Sequence, residues 1–187
     1  NKLAKLVMSS EKLSDLADHF EVELPSKSVE NSEWDVIKNW AEMVASLQSQ
    51  LDRIESTVRD LALVHLPSLS AIAGPLIAAK LCVAAHGRMR LARLPAGTVQ
   101  ILGAEKAFFS HLKQGTKTPK HGLIYSHVFI SRSPKPVRGR ISRMLAARMS
   151  LAARIDAFNG TPWGEEEFRL IEERVETIKQ HYFDSKK

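Results

Sequence analysis

The sequence has a single cysteine, Cys82. One thiol excludes an internal disulfide and any multi-cysteine metal site. Within "LIAAKLCVAAHG" it reads as an inert buried thiol rather than a nucleophile, and it fits a reducing cytoplasmic or nucleoid setting. No apolar run reaches the roughly 18 residues that a membrane span requires. The opening residues "NKLAKLVMSSEKL" lack the apolar centre and cleavage site of a signal peptide, and they lack a starting Met, which reads as a piece of a longer chain. There is no G-x-x-x-x-G-K-[ST] loop, no G-x-G-x-x-G after a strand and no H-E-x-x-H. Acidic residues are nearly missing from the middle of the chain, where residues 80–154 hold only Glu105. The histidines of that block, His86, His111, His121 and His127, therefore lack the carboxylates that metal ligation or general-base catalysis calls for. Glu105 beside Lys106 could be argued as an acid–base pair; an acid placed on a helix N-terminal dipole, or a salt-bridge partner, is the plainer reading. The expectation is a protein that binds rather than catalyses, with no cofactor of its own.

Charge is distributed in blocks. Residues 1–79 carry 7 Lys/Arg against 12 Asp/Glu, residues 80–154 carry 15 against 1, and residues 155–187 carry 5 against 8. The overall +6 thus hides a middle block of +14 between two acidic arms. Such a block is the electrostatic footprint of a polyanion ligand, with a merely solvated basic face as the competing reading.

The strongest periodicity lies in residues 33–65. Ile37, Trp40, Val44, Leu47, Leu51, Ile54, Val58 and Leu61 alternate spacings of three and four, which fills every a and d position of a heptad repeat. Ser32 and Asp35 have capping-box spacing. A narrow seam of this kind wants a partner helix. Upstream, Leu3, Leu6, Leu13, Leu16 and Phe20 follow a similar spacing, and "EVELPSKSVEN" with Pro25 reads as a tip loop. The expectation is an antiparallel helical hairpin over 1–65 with a shortened first arm, its gap filled by missing residues or another subunit. A long amphipathic helix on a globular core is the alternative.

After Pro67, "LPSLSAIAGPLIAAKLCVAAHG" reads as a buried helix broken at Gly74–Pro75 and stopped at Gly87. A short basic helix ends at Pro95. Another runs from Gly103 to about Gln114, with Gly115 past its end. "LIYSHVFI" has strand character but no strand to pair with. Two longer helices follow, one with Ile141, Leu145, Met149, Ala152 and Ile155 on one side, the next acidic in its first turn. The fold class is all-α, with the hairpin followed by a compact helical domain over 66–187.

For binding, the start of the 104–114 helix offers backbone N–H groups to a phosphate. Lys106, Lys113, Lys117 and Lys120 add charge, and Thr118 adds a hydroxyl. His121 offers a flat ring for stacking on an unpaired base, with His127 and Tyr125 as further candidates. Tyr125 reads more readily as core, as do Phe108 and Phe109, of which at most one faces outward. Arg138, Arg140 and Arg143 supply guanidinium groups from the following helix.

Three blocks, "QILGAEKAFF", "TPKHGLIYSH" and "RGRISRMLAARMSLAARIDAF", in this order and at these separations, closely resemble the signature blocks of the Nop domain family, together with the linker "LARLPAGTVQ". The resemblance covers roughly Leu66 to Asn159, and the heptad segment is similar to the family's coiled coil. It resembles the archaeal box C/D ribonucleoprotein scaffolds and their eukaryotic nucleolar relatives more than the related spliceosomal pre-mRNA-processing factor.

The resemblance implies an RNA-binding scaffold for guide-directed 2′-O-methylation of ribosomal RNA. It implies a kink-turn RNA clamped together with a small ribosomal-protein-like kink-turn-binding protein. Self-association through Ile37, Trp40, Val44, Leu47, Leu51 and Ile54 is also implied. So is recruitment of fibrillarin, which would carry the S-adenosylmethionine chemistry, by an N-terminal domain that this sequence does not include; the chain by itself is then not expected to recruit it. Carried over by position, Glu105, Lys106, Lys113, Lys117, Thr118, Lys120, His121, His127, Arg138, Arg140 and Arg143 form the RNA-facing side. The implied setting is cytoplasmic in an archaeon and nucleolar in eukaryotic relatives. A splicing-factor-like protein or a stand-alone RNA-binding module is the alternative function.

Overall fold

The structure is a computed structural model that describes residues 2–23 and 31–185. Among the described residues it is helical throughout, with no strand. The expected tip loop with Pro25 lies largely outside the described residues. The chain divides into two compact units, residues 1–56 and 57–187.

In the first unit the upstream arm is two short helices, α1 (Lys2–Ser9) and α2 (Leu13–Phe20), followed by the start of the long helix α3 (Asn31–His65). The break before α2 is held by Asp15, whose carboxylate accepts from the N–H groups of Glu11 and Lys12 at 2.8 and 3.0 Å. Ser32 lies inside α3 rather than at its cap. Ala4, Val7 and Leu16 form a small buried cluster with Trp34 and Ala41, and Leu6 and Leu13 pack partly against it.

This corrects the expected seam. Ile37, Trp40, Val44, Leu47, Leu51 and Ile54 are all exposed, Trp40 to 71%, and Leu3 and Phe20 of the first arm are exposed as well. The reason is geometric. At 3.6 residues per turn, Trp34 and Ala41 with the half-buried Lys38, Ala45 and Gln48 lie on one stripe, and the heptad positions lie about a quarter turn around the helix. Short α1 and α2 cover the first stripe and leave the second open.

The second unit is built around one long helix. Its elements in order are the end of α3, α4 (Pro67–Ala73), α5 (Pro75–Ala84), α6 (Arg88–Arg93), α7 (Ala96–Ile101), α8 (Glu105–Gln114), a single 3-10 turn (Leu123–Ser126), α9 (Val128–Ser131), α10 (Lys135–Ala157) and α11 (Glu165–Asp184). Pro67 and Pro75 sit at helix starts, where a missing N–H costs nothing. Gly74 turns between α4 and α5 with φ of 80°, a conformation that side chains with a Cβ disfavour.

Helix α10 is the axis because its apolar residues recur every three or four positions: Val137, Ile141, Leu145, Met149 and Ala152 or Ala153 are buried. Around it close Leu69, Ile72, Leu81, Leu91, Val99, Ile124, Ile130 and Val175. The same helix supplies polar ties. Asp156, buried, accepts from the N–H groups of Ser68 and Leu69, both at 2.9 Å, and so caps α4 from 88 residues away. Arg154 donates to the Ala92 carbonyl at 3.2 Å, and Ser150 to that of Leu94 at 3.2 Å. The expected strand character of "LIYSHVFI" resolves as the 3-10 turn and α9, since no second strand is there to pair with.

Candidate nucleic-acid interface

The loop between α8 and the 3-10 turn is where the basic residues gather. Gly115, with φ of 66°, closes α8 and turns the chain. His111 in the last turn of α8 then holds the loop from within: one ring nitrogen, Nδ1, meets the Thr116 carbonyl and the other, Nε2, meets the Thr118 hydroxyl at 3.1 Å. The loop's far end is pinned to α7. Gln100 donates from Nε2 to the Lys120 carbonyl at 2.7 Å, and its own carbonyl accepts from the Gly122 N–H at 2.9 Å. Position 122 admits only glycine, because a Cβ there would lie 2.1 Å from the Leu102 carbonyl oxygen.

These ties leave an open groove of about 750 Å³. Its walls are Gln100 and Ile101 of α7, His111 of α8, the loop residues Thr116 to Lys120, and Gly139 and Arg143 of α10. The lysine stem of Lys120 lies across Gly139, where a Cβ would come within 3.3 Å of its Cδ. Lys117, Lys120 and Arg143 thus face one space from two separate parts of the chain, with the Thr118 hydroxyl beside them. No acidic side chain lines it.

Next to the groove stands a second arrangement. The rings of His121 and Tyr125 are stacked, 4.5 Å between centroids and 23° between planes. The Arg138 guanidinium lies 5.6 Å from the Tyr125 ring centre and donates to its hydroxyl at 3.1 Å. Arg138 also donates to the carbonyls of Ser133 at 2.7 Å and Ser131 at 3.0 Å. Partial burial, chiefly, and the neighbouring cations Arg138 and Lys120 hold the His121 pKa below the ordinary imidazole value, against an opposing contribution from a backbone hydrogen bond.

Of the residues expected from the sequence, Lys117, Thr118, Lys120 and Arg143 come together in the groove. Arg140 is exposed on α10, one residue from Gly139. Lys106 and Lys113 are exposed on α8 and do not line this groove. Three expectations change. His127 is buried: Nε2 donates to the Ile72 carbonyl at 3.0 Å and Nδ1 accepts from the Phe129 N–H at 3.2 Å, so it ties α9 to α4 and presents no ring to a ligand. Arg138 spends donors on all three of its nitrogens holding the turn before α10. Glu105 turns its carboxylate back to accept from the Gly103 N–H at 2.6 Å, which places a negative charge at the α8 start where a phosphate was expected.

Two aromatic readings are reversed as well. Tyr125 is 40% exposed rather than core, and Phe109 is 57% exposed, with Phe108 half-buried beside it. His111 and Gln100, which build the groove, were not singled out from sequence. Their role is to bond backbone, and no residue pattern announces it.

Fold and groove define a class: an all-α protein with an open, basic groove on the domain built around α10. The family described as "snoRNA binding domain, fibrillarin", Nop, matches residues 4–177, and the chain belongs to that family. An uncharacterized NOP5 family protein of Methanocaldococcus jannaschii is 38% identical over 154 residues, which cover 82% of this chain and 37% of that protein. Human nucleolar protein 56 is 42% identical over 142 residues, 74% of this chain and 24% of its own length. The chain therefore spans well under half the length of these curated relatives. Among solved structures, one in a crystal structure of a fibrillarin/Nop5p complex superposes with a TM-score of 0.58 at 27% identity, covering 95% of this chain and 65% of the other.

Proposed function

We propose that this chain is the RNA-binding scaffold portion of a box C/D-type guide ribonucleoprotein that directs 2′-O-methylation. In this reading it clamps a kink-turn RNA jointly with a small kink-turn-binding protein. The observation that carries it is the convergence of Lys117, Lys120 and Arg143 on one acid-free groove in a member of a snoRNA-binding family. Three cations around an open groove match a phosphate backbone, and Arg143 can grip a phosphate with two parallel hydrogen bonds. The chain supplies binding and leaves methyl transfer to fibrillarin, held by a domain outside this sequence. The exposed seam of α3 is the surface for self-association. The particle is cytoplasmic in an archaeal cell and nucleolar in a eukaryotic one.

The test is a gel shift with a kink-turn RNA, with and without the small protein. Weak binding to bare RNA and strong binding to the RNA–protein pair is the expected result. Equal affinity for both would overturn the joint clamp in favour of a stand-alone RNA-binding module.

A further inference from the structure

Helix α8 has no buried residue, although three of its ten positions are Phe108, Phe109 and Leu112. Phe109 and Leu112 are exposed to 57% and 63%. On a helix, residues three and four apart share a face, so Lys106 and Lys113 flank Phe109 on its own side. Both lysines are exposed. Behind this face lies a second cavity of about 450 Å³, lined by Pro95, Thr98, Ile101, Phe108 and Phe109 among others. Ile101 also lines the basic groove, so the two spaces adjoin across one side chain.

We propose that the α8 face is a binding site for an unpaired nucleobase, which stacks on Phe109 over the cavity while Lys106 and Lys113 hold the flanking phosphates. The inference rests on the reading of the basic groove as an RNA site, and it gives the strand leaving that groove a destination. An exposed aromatic between two lysines suits a single strand: every base has a π-face, and the cations meet the backbone on either side. An apolar protein segment would fill the cavity equally well by area, but it makes no use of the paired lysines or of a chain block carrying 15 Lys/Arg against one acid. That acid, Glu105, lines the cavity and is already bonded to the Gly103 N–H.

The experiment uses the whole chain with the small kink-turn-binding protein. The probe is a kink-turn RNA with 2-aminopurine placed in turn at each unpaired position. One position is expected to lose fluorescence on binding. Phe109→Ala should abolish that quenching and weaken binding about tenfold. Phe109→Trp should retain both, and circular dichroism should show both variants folded, since the ring is exposed. Lys106→Ala and Lys113→Ala should each flatten the salt dependence, whereas Phe109→Ala should leave it alone. If Lys120→Ala and Arg143→Ala weaken binding but no position responds to Phe109, the base site is wrong and the basic groove stands. If none of these variants matters, both fall. If Phe109→Ala instead lowers affinity for the small protein without RNA, the face is a protein contact and the proposal is overturned.

Discussion

Cations close together in space do different work according to what their donors already hold. Arg143 lines the groove, whereas Arg138 bonds two turn carbonyls and the Tyr125 hydroxyl. A phosphate contact releases counterions, and its loss flattens log K against log salt by about 0.7–0.9. We therefore predict that Arg143→Ala and Lys120→Ala flatten that slope in RNA binding. Arg138→Ala should weaken binding with the slope unchanged, and it should destabilise the domain by about 2 kcal/mol through its lost charged hydrogen bonds. Urea denaturation and a salt titration of each variant separate the two roles. A flattened slope for Arg138→Ala would place it on phosphate after all. The lysines and Arg143 were legible in the sequence because they stand in an exposed, Pro- and Gly-punctuated loop or on the polar face of a periodic helix. His127 was not: the partner that buries it is the Ile72 carbonyl, 55 residues away, and nothing local in "YSHVF" reports that contact.

At the level of elements, helices with long periodic patterns were readable and short ones were not. The Gly74–Pro75 break, the extent of α10 and the acidic start of α11 follow from local sequence. Helix α7 was missed, since six residues carry less than two turns of pattern. The heptads in α3 were read correctly as a stripe but assigned to the wrong partner. Sequence spacing shows that a face is apolar, whereas only the length and angle of α1 and α2 decide which face they cover. An open apolar stripe of this length is a protein interface until shown otherwise. We predict that Leu47→Glu with Leu51→Glu weakens self-association about tenfold or more, because each would bury a charge in the seam. Sedimentation equilibrium reads the change. The fold should be unaffected, since both side chains are exposed at 58% and 52%. Association that survives both substitutions would remove the seam from the interface.

For the molecule as a whole, charge and protonation set the conditions under which it holds together. Burial, partly offset by the hydrogen bond to Ile72, lowers the pKa of His127 from the ordinary 6.5, and His121 moves in the same direction. A depressed histidine pKa means that the unfolded chain takes up protons first as pH falls. The stability that the neutral rings contribute is complete above about pH 6.5 and is lost as pH drops through the folded values. The thermal midpoint of the 57–187 unit should therefore decline between about pH 7 and pH 5. His127→Gln should start from a lower midpoint and show a shallower decline. A flat profile in the original sequence would contradict the burial of His127.

The stem of Lys120 lies in a slot that exists only because residue 139 has no side chain. A free surface lysine samples many rotamers and must give them up when it grips a ligand, at about 0.5–1.5 kcal/mol for a side chain of this kind. Lys120, laid along Gly139 and with its carbonyl fixed by Gln100, has already surrendered part of that freedom during folding. Gly139 thus contributes to ligand affinity without touching the ligand: the ordering entropy of one cation is spent in advance.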